Sequence, residues 1–242
     1  MLRDSVRVNP TIMYAVNWAD NNYPSDMEEK IIITISRELG SGGRTVGRKL
    51  AEALGIRYSD KELISKLRNK FQLSAVGIEK LKGEKKTWFS EFLQMVAPVP
   101  KEAARLEKDK PSIQEFRPDV TTDDVFKAET EILKAIASQG SCVIAGRSGF
   151  FALKDEPNKV DIFFTASYAH RLDRVMTKQL LSKEEAAEVI DEVDRRRENY
   201  VKRYTGTSRY DARNYDLVIN MDDLSEDEAV NLILHYLKFR RK

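Results

Sequence analysis

The stretch Ile31-Ile-Ile-Thr-Ile-Ser-Arg-Glu-Leu-Gly-Ser-Gly-Gly-Arg-Thr-Val46 decides the fold of this chain. Its apolar, β-branched run stops at Ser36, a glycine-rich turn follows, and a helical pattern of apolar residues starts at Thr45. A strand, a glycine-rich loop and a helix in this order bring several backbone N–H groups to the positive end of a helix dipole. Because such an arrangement binds anions, the stretch predicts a phosphate-binding loop.

The loop is a modified form of the Walker pattern G-x-x-x-x-G-K-[ST], because its lysine is missing. Gly40, Gly42 and Gly43 have no Cβ atom, so they can adopt positive φ and let a phosphate approach the backbone. Thr45 fits the hydroxyl that binds Mg²⁺, Gly43 stands at the place of the lysine, and Arg44 follows it. The Arg44 guanidinium is a candidate replacement for the lysine, since it can hold phosphate oxygens through two hydrogen bonds. The alternative is an ordinary first-turn arginine that points into solvent.

Length and composition predict a highly charged globular protein. The 242 residues are 41% hydrophobic and 33% charged, which suits one α/β domain with an appendage or two small domains. A net charge of +2 is too small for a general nucleic-acid binder. No apolar stretch approaches the ~20 residues that span a bilayer, and no signal-peptide pattern opens the chain. The lone Cys142 excludes an internal disulfide and is expected as a core thiol, so we expect a cytoplasmic protein.

Short apolar runs alternate with helical patterns along the chain. The runs that predict strands are 31–35, 56–58, 142–145, 160–165 and 217–219. The predicted helices are 45–54, 125–137, a region 167–204 split near Leu181-Ser182 with a capping box at Ser182 and Glu185, and a last helix capped by Ser225 and Glu228. This alternation predicts an α/β fold with a five-stranded parallel sheet and helices on both faces.

The chain divides into an extension and one larger domain. We interpret residues 1–29 as an N-terminal extension and residues 30–242 as the domain. Residues 71–124 interrupt the alternation with charged runs and prolines, which predicts a helical insertion. The oligomeric state stays open.

Two polar residues follow predicted strands at the edge where open α/β sheets bind ligands. Asp60 follows the second strand and is either a substrate contact or a helix cap. Arg147 follows the third strand and either reaches an acceptor phosphate or bridges loops. Asp161, by contrast, opens the fourth strand at its N-terminal end, so we expect it to lie far from the phosphates.

Arginines are concentrated on the predicted helices 167–206. Arg171 and Arg174 are three residues apart and share a helix face. Arg196 and Arg203 lie nearly two turns apart, with Tyr200 between them. The acids that could neutralise these arginines as helix-surface ion pairs, each worth about 0.3–0.5 kcal/mol, are Asp191, Glu192 and Asp194. A solvated helix face explains the arginines alone, whereas a lid over phosphates is favoured when an anion loop accompanies them.

These motifs together resemble the cytidylate kinase-like family, a branch of the nucleoside monophosphate kinases. The resemblance covers roughly residues 30–235. The matching segments are Ile33-Thr-Ile-Ser-Arg-Glu-Leu-Gly-Ser-Gly-Gly-Arg-Thr45, Tyr58-Ser-Asp-Lys-Glu-Leu63, Cys142-Val-Ile-Ala-Gly-Arg147, Asp161-Ile-Phe-Phe-Thr-Ala-Ser167, Asp194-Arg-Arg-Arg197 and Tyr215-Asp-Leu-Val-Ile-Asn220. It implies a three-layer P-loop NTPase-type fold, a lid formed by the helices within 167–206, and a substrate-binding role for the insertion 71–124.

The resemblance also implies roles for single residues, with ATP as donor and Mg²⁺ as metal. The residues that would bind the donor phosphates are Gly40, Ser41, Gly42, Gly43, Arg44 and Thr45. Arg147 would serve the acceptor, and Arg171, Arg174 and Arg197 would be lid arginines. Three departures stand out: Gly43 replaces the lysine, Ser148 replaces the acid that follows Gly-Arg, and Val193-Asp194-Arg-Arg-Arg197 replaces Arg-Asp-x-x-Asp.

The sequence therefore predicts a kinase that transfers the ATP γ-phosphoryl group to a nucleoside monophosphate, with CMP or dCMP as the first acceptor. One alternative is a nucleotide-binding regulatory protein that lost efficient catalysis together with the lysine. Another is a kinase for a different small molecule. The expected partners are small-molecule nucleotides, with no nucleic acid and no membrane.

Overall fold

A computed structural model of the chain describes residues 29–60, 122–146 and 148–240. The chain divides into two compact units, residues 1–30 and 31–242, and every helix and strand below belongs to the second. The elements in order are β1 Ile32–Arg37, α1 Gly43–Ala53, β2 Arg57–Ser59, α2 Thr122–Ser138, β3 Cys142–Ala145, α3 Gly149–Ala152, β4 Lys159–Thr165, α4 Tyr168–Gln179, α5 Lys183–Thr205, a 3₁₀ turn Ala212–Asn214, β5 Leu217–Asn220 and α6 Glu226–Arg240.

The five strands form one parallel sheet in the order β2-β3-β1-β4-β5. Strand β1 lies in the middle, with Ile33 opposite Val143 of β3 and Val160 of β4. The three residues are fully buried, as a continuous apolar run in a parallel sheet requires. The loop after β1 lies at the carboxyl edge of the sheet, and β1 is the strand that separates β3 from β4, where the strand order changes direction and such sheets bind ligands.

Helices cover both faces of the sheet. Gly47 of α1 approaches Ile35 so closely that a Cβ atom there would lie 2.5 Å from its Cδ1 atom. Gly149 of α3 lies instead against Thr34 and Ile144, and successive strand residues point to opposite faces. Helices α1 and α3 therefore pack on opposite sides of β1, which confirms the predicted layered α/β architecture.

The hairpin of α4 and α5 has a small apolar core of its own, formed by Val175, Ala186 and Ile190. The predicted break between the two helices is confirmed, and so is the reciprocal capping box of Ser182 and Glu185 that starts α5. The corresponding pair Ser225 and Glu228 caps α6.

Several predicted boundaries were wrong by a few residues. Strand β1 continues through Arg37 because its last two residues still pair with β4. Helix α1 begins at Gly43 rather than Thr45, and α2 begins at Thr122 rather than Val125, which takes 122–124 from the predicted insertion. The four-residue helix α3 was not among the predicted helices. The rest of the insertion, 71–121, lies outside the described residues.

Two negative expectations can be checked on the described part of the chain. Cys142 is a free thiol and fully buried, as predicted. No helix within 29–60, 122–146 and 148–240 is long and apolar enough to cross a membrane.

Candidate functional site

The loop between β1 and α1 presents unpaired backbone donors. Gly40 has φ +87° and Gly42 has φ +85°, a region that side chains other than glycine rarely adopt. Gly42 is the N-cap of α1 and supplies no side-chain cap, while its carbonyl accepts from the N–H groups of Thr45 and Val46. Among the described residues, the N–H groups of Gly42, Gly43 and Arg44 have no acceptor. This backbone fits a phosphate, because the donors converge at a helix N-terminus.

The loop lies directly against the α4–α5 hairpin. A Cβ atom on Gly40 would lie 2.6 Å from the carbonyl oxygen of Arg171, so only glycine permits this approach. The Leu39 side chain packs on the apolar core of the hairpin, and its carbonyl accepts from Arg171 Nη1 at 3.4 Å. The helices predicted as a lid are therefore in contact with the loop in this structure.

Asp194 of α5 joins the loop to three arginines. Its carboxylate accepts from the Leu39 N–H at 3.1 Å and from Arg171 Nη1 at 2.6 Å. Arg197 and Arg209 each approach its Oδ1 atom at 3.3 Å. Asp194 is only 7% exposed. The prediction that it forms a helix-surface ion pair was wrong, since its partners come from three separate segments and enclose it.

The sequence reasoning missed Arg209, which is as buried as the strand core. Its guanidinium donates to the Arg37 carbonyl, and its Cζ atom lies 5.8 Å from the Phe163 ring and 5.2 Å from the Tyr210 ring. The Tyr215 hydroxyl donates to the Arg209 carbonyl at 2.7 Å. Burial raises the Tyr215 pKa to about 12, so this donor stays protonated. Arg209 lies between helices in an irregular segment, where no periodic pattern could have marked it.

Arg197 lies in a positively charged environment. Burial lowers its pKa well below the ordinary arginine value, and the nearby charges of Arg37 and Arg209 act in the same direction. Asp194 opposes them only in part. An anion close to Arg197 would stabilise the charged guanidinium, because opposite charge restores what burial and like charges remove.

Arg174 of α4 lies beside Gly42 of the loop. Its Cζ and Nη2 atoms are each 3.6 Å from the position that a Cβ atom on Gly42 would take. Nη2 donates to Thr45 Oγ1 at 3.4 Å and to Glu226 Oε1 at 2.5 Å. This contact places a guanidinium beside the open N–H groups at the start of α1.

Arg44 points in a different direction from Arg174. Its Nε atom donates to Asp60, which follows β2, and the Tyr58 hydroxyl donates to the Arg44 carbonyl at 3.2 Å. Burial, followed by the Asp60 charge, raises the Tyr58 pKa to about 12. Asp60 and Arg44 are thus brought together, whereas Arg147 lies outside the described residues.

The last three positions of the Walker pattern, G-K-[ST], can be aligned with this loop in two registers, and the pattern's first glycine then falls on Arg37 or on Glu38. With Gly43 at the lysine position, Arg44 takes the hydroxyl position; with Thr45 at the hydroxyl position, Arg44 takes the lysine position. In neither register does a loop cation lie over the open N–H groups, because Gly43 has no side chain and Arg44 contacts Asp60. The role of Arg44 as a lysine replacement stays a prediction.

Thr45 is the metal ligand predicted from the sequence, and its hydroxyl accepts from Arg174 while a second lone pair remains. Within the described ranges, no group of three or more His, Cys, Asp or Glu side chains could hold a metal ion. A Mg²⁺ ion bound mainly by substrate phosphates and water needs only one or two protein ligands, so Thr45 fits that role.

Asp161 lies in the body of β4 and not at its carboxyl edge. It accepts from Thr34 Oγ1 at 2.5 Å and pairs with Lys159, whose ammonium also donates to the Phe150 carbonyl at 2.7 Å. Burial raises the Asp161 pKa above its ordinary value, although the Lys159 and Thr34 hydrogen bonds oppose the shift. The pair of Asp161 and Lys159 links β4 to β1 through Thr34 and to α3 through the Phe150 carbonyl.

Known proteins are similar to this chain in sequence and in fold. The model of the cytidylate kinase-like family matches residues 32–223. A cytidylate kinase of Sulfurisphaera tokodaii is 26% identical over 210 residues, which are 86% of this chain and 96% of that protein. Among solved structures, an uncharacterized protein from Eubacterium ventriosum has a TM-score of 0.60 at 25% identity, with 86% of this chain and 99% of the other covered. A shikimate kinase from Bacteroides thetaiotaomicron has a TM-score of 0.49 at 13% identity, over 87% and 99% of the two chains.

Proposed function

The chain belongs to the cytidylate kinase-like family, and on that premise we propose that it transfers the γ-phosphoryl group of ATP to a nucleoside monophosphate, with CMP or dCMP as the first acceptor. The observation that carries the proposal is the group of N–H donors at Gly42, Gly43 and Arg44 without an acceptor among the described residues, together with Arg171 and Arg174 of α4 beside the loop. The Sulfurisphaera protein, similar over most of its length, is a cytidylate kinase, which supports the choice of acceptor.

The donor phosphates would lie in the loop from Gly40 to Thr45. There the backbone N–H groups and the α1 dipole would hold the phosphate oxygens without cost of reorganisation. Mg²⁺ at Thr45, when bound, supplies further neutralisation of the phosphate charge. The arginines that would surround the migrating group are Arg171, Arg174 and Arg197.

The acceptor would bind at the carboxyl ends of β2 and β3. We assign it to Asp60, which the Arg44 guanidinium holds in place, and to Arg147, which follows β3. Transfer in such a site needs positioning and charge stabilisation and no covalent intermediate on the protein. Arg37, whose charge lowers the pKa of the neighbouring Arg197, would add positive charge at this edge of the sheet.

A coupled assay of ADP release tests the proposal. Purified protein receives ATP, Mg²⁺ and, one at a time, CMP, dCMP, UMP, AMP and GMP. We expect turnover with CMP or dCMP to exceed turnover with the purine nucleotides by at least about tenfold, because a pocket that hydrogen-bonds one base rejects others strongly. ADP release that is no faster with any acceptor than without one would contradict the proposal.

A regulatory nucleotide-binding protein is the second candidate, and the absence of a side chain at Gly43 together with the contact of the Arg44 guanidinium with Asp60 favours it. Titration calorimetry with ATP separates the two candidates. Tight ATP binding without turnover of any nucleotide would favour the regulatory role. Turnover with an acceptor found instead in a thermal-shift screen of metabolites would favour a kinase for another small molecule.

A further inference from the structure

The Arg44 side chain lies against the end of β2 and not over the N–H donors of its own loop. Its Nε atom donates to Asp60, and the Tyr58 hydroxyl donates to the Arg44 carbonyl at 3.2 Å. Two separate contacts therefore join the first turn of α1 to the end of β2. The backbone N–H of Arg44 stays among the donors without an acceptor, so the main chain and the side chain of this residue face different places.

Tyr58 is packed in position for its contact with Arg44. A Cβ atom on Gly47 would lie 3.3 Å from Cε2 of the Tyr58 ring, so the missing side chain of this glycine lets the ring lie close to α1. Burial raises the Tyr58 pKa to about 12, and the hydroxyl therefore stays protonated and keeps donating. The start of α1 is thus held against the end of β2.

The Asp60 carboxylate is enclosed and depends on Arg44. Its side chain is 8% exposed, whereas that of Arg44 is 48% exposed. A carboxylate withdrawn from water needs a charged partner, and Arg44 is the one cation that pairs with Asp60 within the described ranges. Arg44 bonds Oδ2, while Oδ1 accepts no hydrogen bond from any described residue. Asp60 therefore offers one free oxygen, on a carboxylate that its partner holds still, to a donor of a bound molecule.

We propose that the Arg44 side chain serves the acceptor and not the donor phosphates: it is the positioning residue for Asp60, whose Oδ1 atom accepts from a hydroxyl or amino group of the acceptor. This inference rests on the proposed function, because it concerns the acceptor of that reaction. A carboxylate only accepts hydrogen bonds, so the acceptor must present a donor at this point. The Arg44 backbone N–H remains part of the phosphate-binding loop.

Separate KM values for the two substrates test the role of Arg44. We expect Arg44→Gln to raise the KM for the nucleoside monophosphate that turns over best by about tenfold, because Asp60 loses the group that positions it. The KM for ATP should stay within about twofold, since binding of the donor is left intact. So should the affinity for the non-hydrolysable ATP analogue AMP-PNP in titration calorimetry, which also shows that the variant is folded.

Arg48→Gln is the matched control. Arg48 is exposed one turn further along α1 and makes no hydrogen bond or ion pair with the described residues. Its replacement should leave both KM values and the AMP-PNP affinity within about twofold, because an isolated exposed charge contributes little. An acceptor KM that is the same in Arg44→Gln and Arg48→Gln would overturn the inference.

Asp60→Asn shows whether Arg44 acts through Asp60. We expect the double variant of Arg44→Gln with Asp60→Asn to have the same acceptor KM as Asp60→Asn alone, because two residues that act as a unit are not additive. Additive increases would overturn the inference, and so would a tenfold loss of AMP-PNP affinity in Arg44→Gln, with or without turnover. A wild-type protein that turns over no nucleoside monophosphate would instead overturn the kinase proposal, while the AMP-PNP titration still decides whether the arginine binds the donor.

Discussion

Asp194 gathers interactions from parts of the chain that are far apart in sequence. The Leu39 N–H that donates to it lies 155 residues away in the sequence. Its guanidinium partners lie on α4, on α5 and in the segment after α5. A carboxylate enclosed in this way is costly to desolvate and becomes tolerable only through its charged partners. Removing it leaves three guanidinium groups buried without their shared counter-charge.

We therefore expect Asp194→Asn to lower the free energy of unfolding by about 3–5 kcal/mol, the range for breaking a buried ion-pair network. Urea unfolding of both proteins measures the difference. Glu192→Gln on the same helix is the control, because Glu192 also binds two arginines, Arg195 and Arg196, but is 36% exposed. The control should lose no more than about 1 kcal/mol. Similar losses in the two variants would contradict the assignment of Asp194 as the buried centre.

Some residues of the site could be predicted from a local sequence pattern, and others could not. The glycines at 40 and 42 follow from the strand–loop–helix order, and both have the positive φ that this prediction requires. Arg209 and the burial of Asp194 could not be predicted, because spacing along a helix gives neighbours on that helix and not partners across the fold. Contacts between distant segments decide these two residues.

At the scale of elements, the strands were predictable and the shortest helix was not. Apolar β-branched runs mark β1 and β3 closely, since a strand buried on both faces needs an unbroken run. Helix α3 has four residues, too few for a period of 3.6 to appear, and its N-cap Ser148 lies in the left-handed region with φ +51°. The prediction of β4 as 160–165 included Asp161 and missed only its first residue, Lys159, whose charge Asp161 neutralises.

Asp161 gives the sheet a pH dependence opposite to that of an ordinary acid. Its folded pKa is raised above 3.8, mainly by burial, so its contribution to stability is present at low pH and declines as pH rises through the folded pKa. We expect Asp161→Asn to gain in stability relative to the wild type as pH rises from the ordinary aspartate pKa towards the raised folded pKa. Urea unfolding at stepped pH measures this trend.

Asp222→Asn is the control of opposite sign. The Ser167 N–H, the largest cause, lowers the Asp222 pKa below 3.8, so its contribution is present above the unfolded pKa and is lost as pH falls through the folded pKa. This variant should lose stability relative to the wild type as pH rises through the acid range. If both variants changed in the same direction with pH, the environment assigned to Asp161 would be incorrect.

In the folded unit as a whole, the loop, α1 and the α4–α5 hairpin form one edge of the sheet that is suited to bind an anion. The hairpin core packs on Leu39, Asp194 bonds the loop backbone, and Arg174 reaches α6 through Glu226. The lowered pKa of Arg197 means that its charged form is disfavoured at this edge when no anion is bound. This electrostatic cost is offset when a ligand of opposite charge binds.

An anion that binds this edge should therefore stabilise the entire folded unit. We expect inorganic tripolyphosphate to raise the free energy of unfolding by mass action, by about 2.7 kcal/mol at one hundred times its Kd, whereas potassium chloride at equal ionic strength gives no such gain. Without anion, Arg197→Gln should lose less stability than Asp194→Asn, because the charged Arg197 guanidinium is disfavoured there and Asp194 keeps Arg171 and Arg209 as partners. It should also gain less from tripolyphosphate. Thermal and urea unfolding with and without tripolyphosphate measure both effects, and a variant that is much less stable yet responds fully to tripolyphosphate would show that Arg197 serves the fold and not the anion.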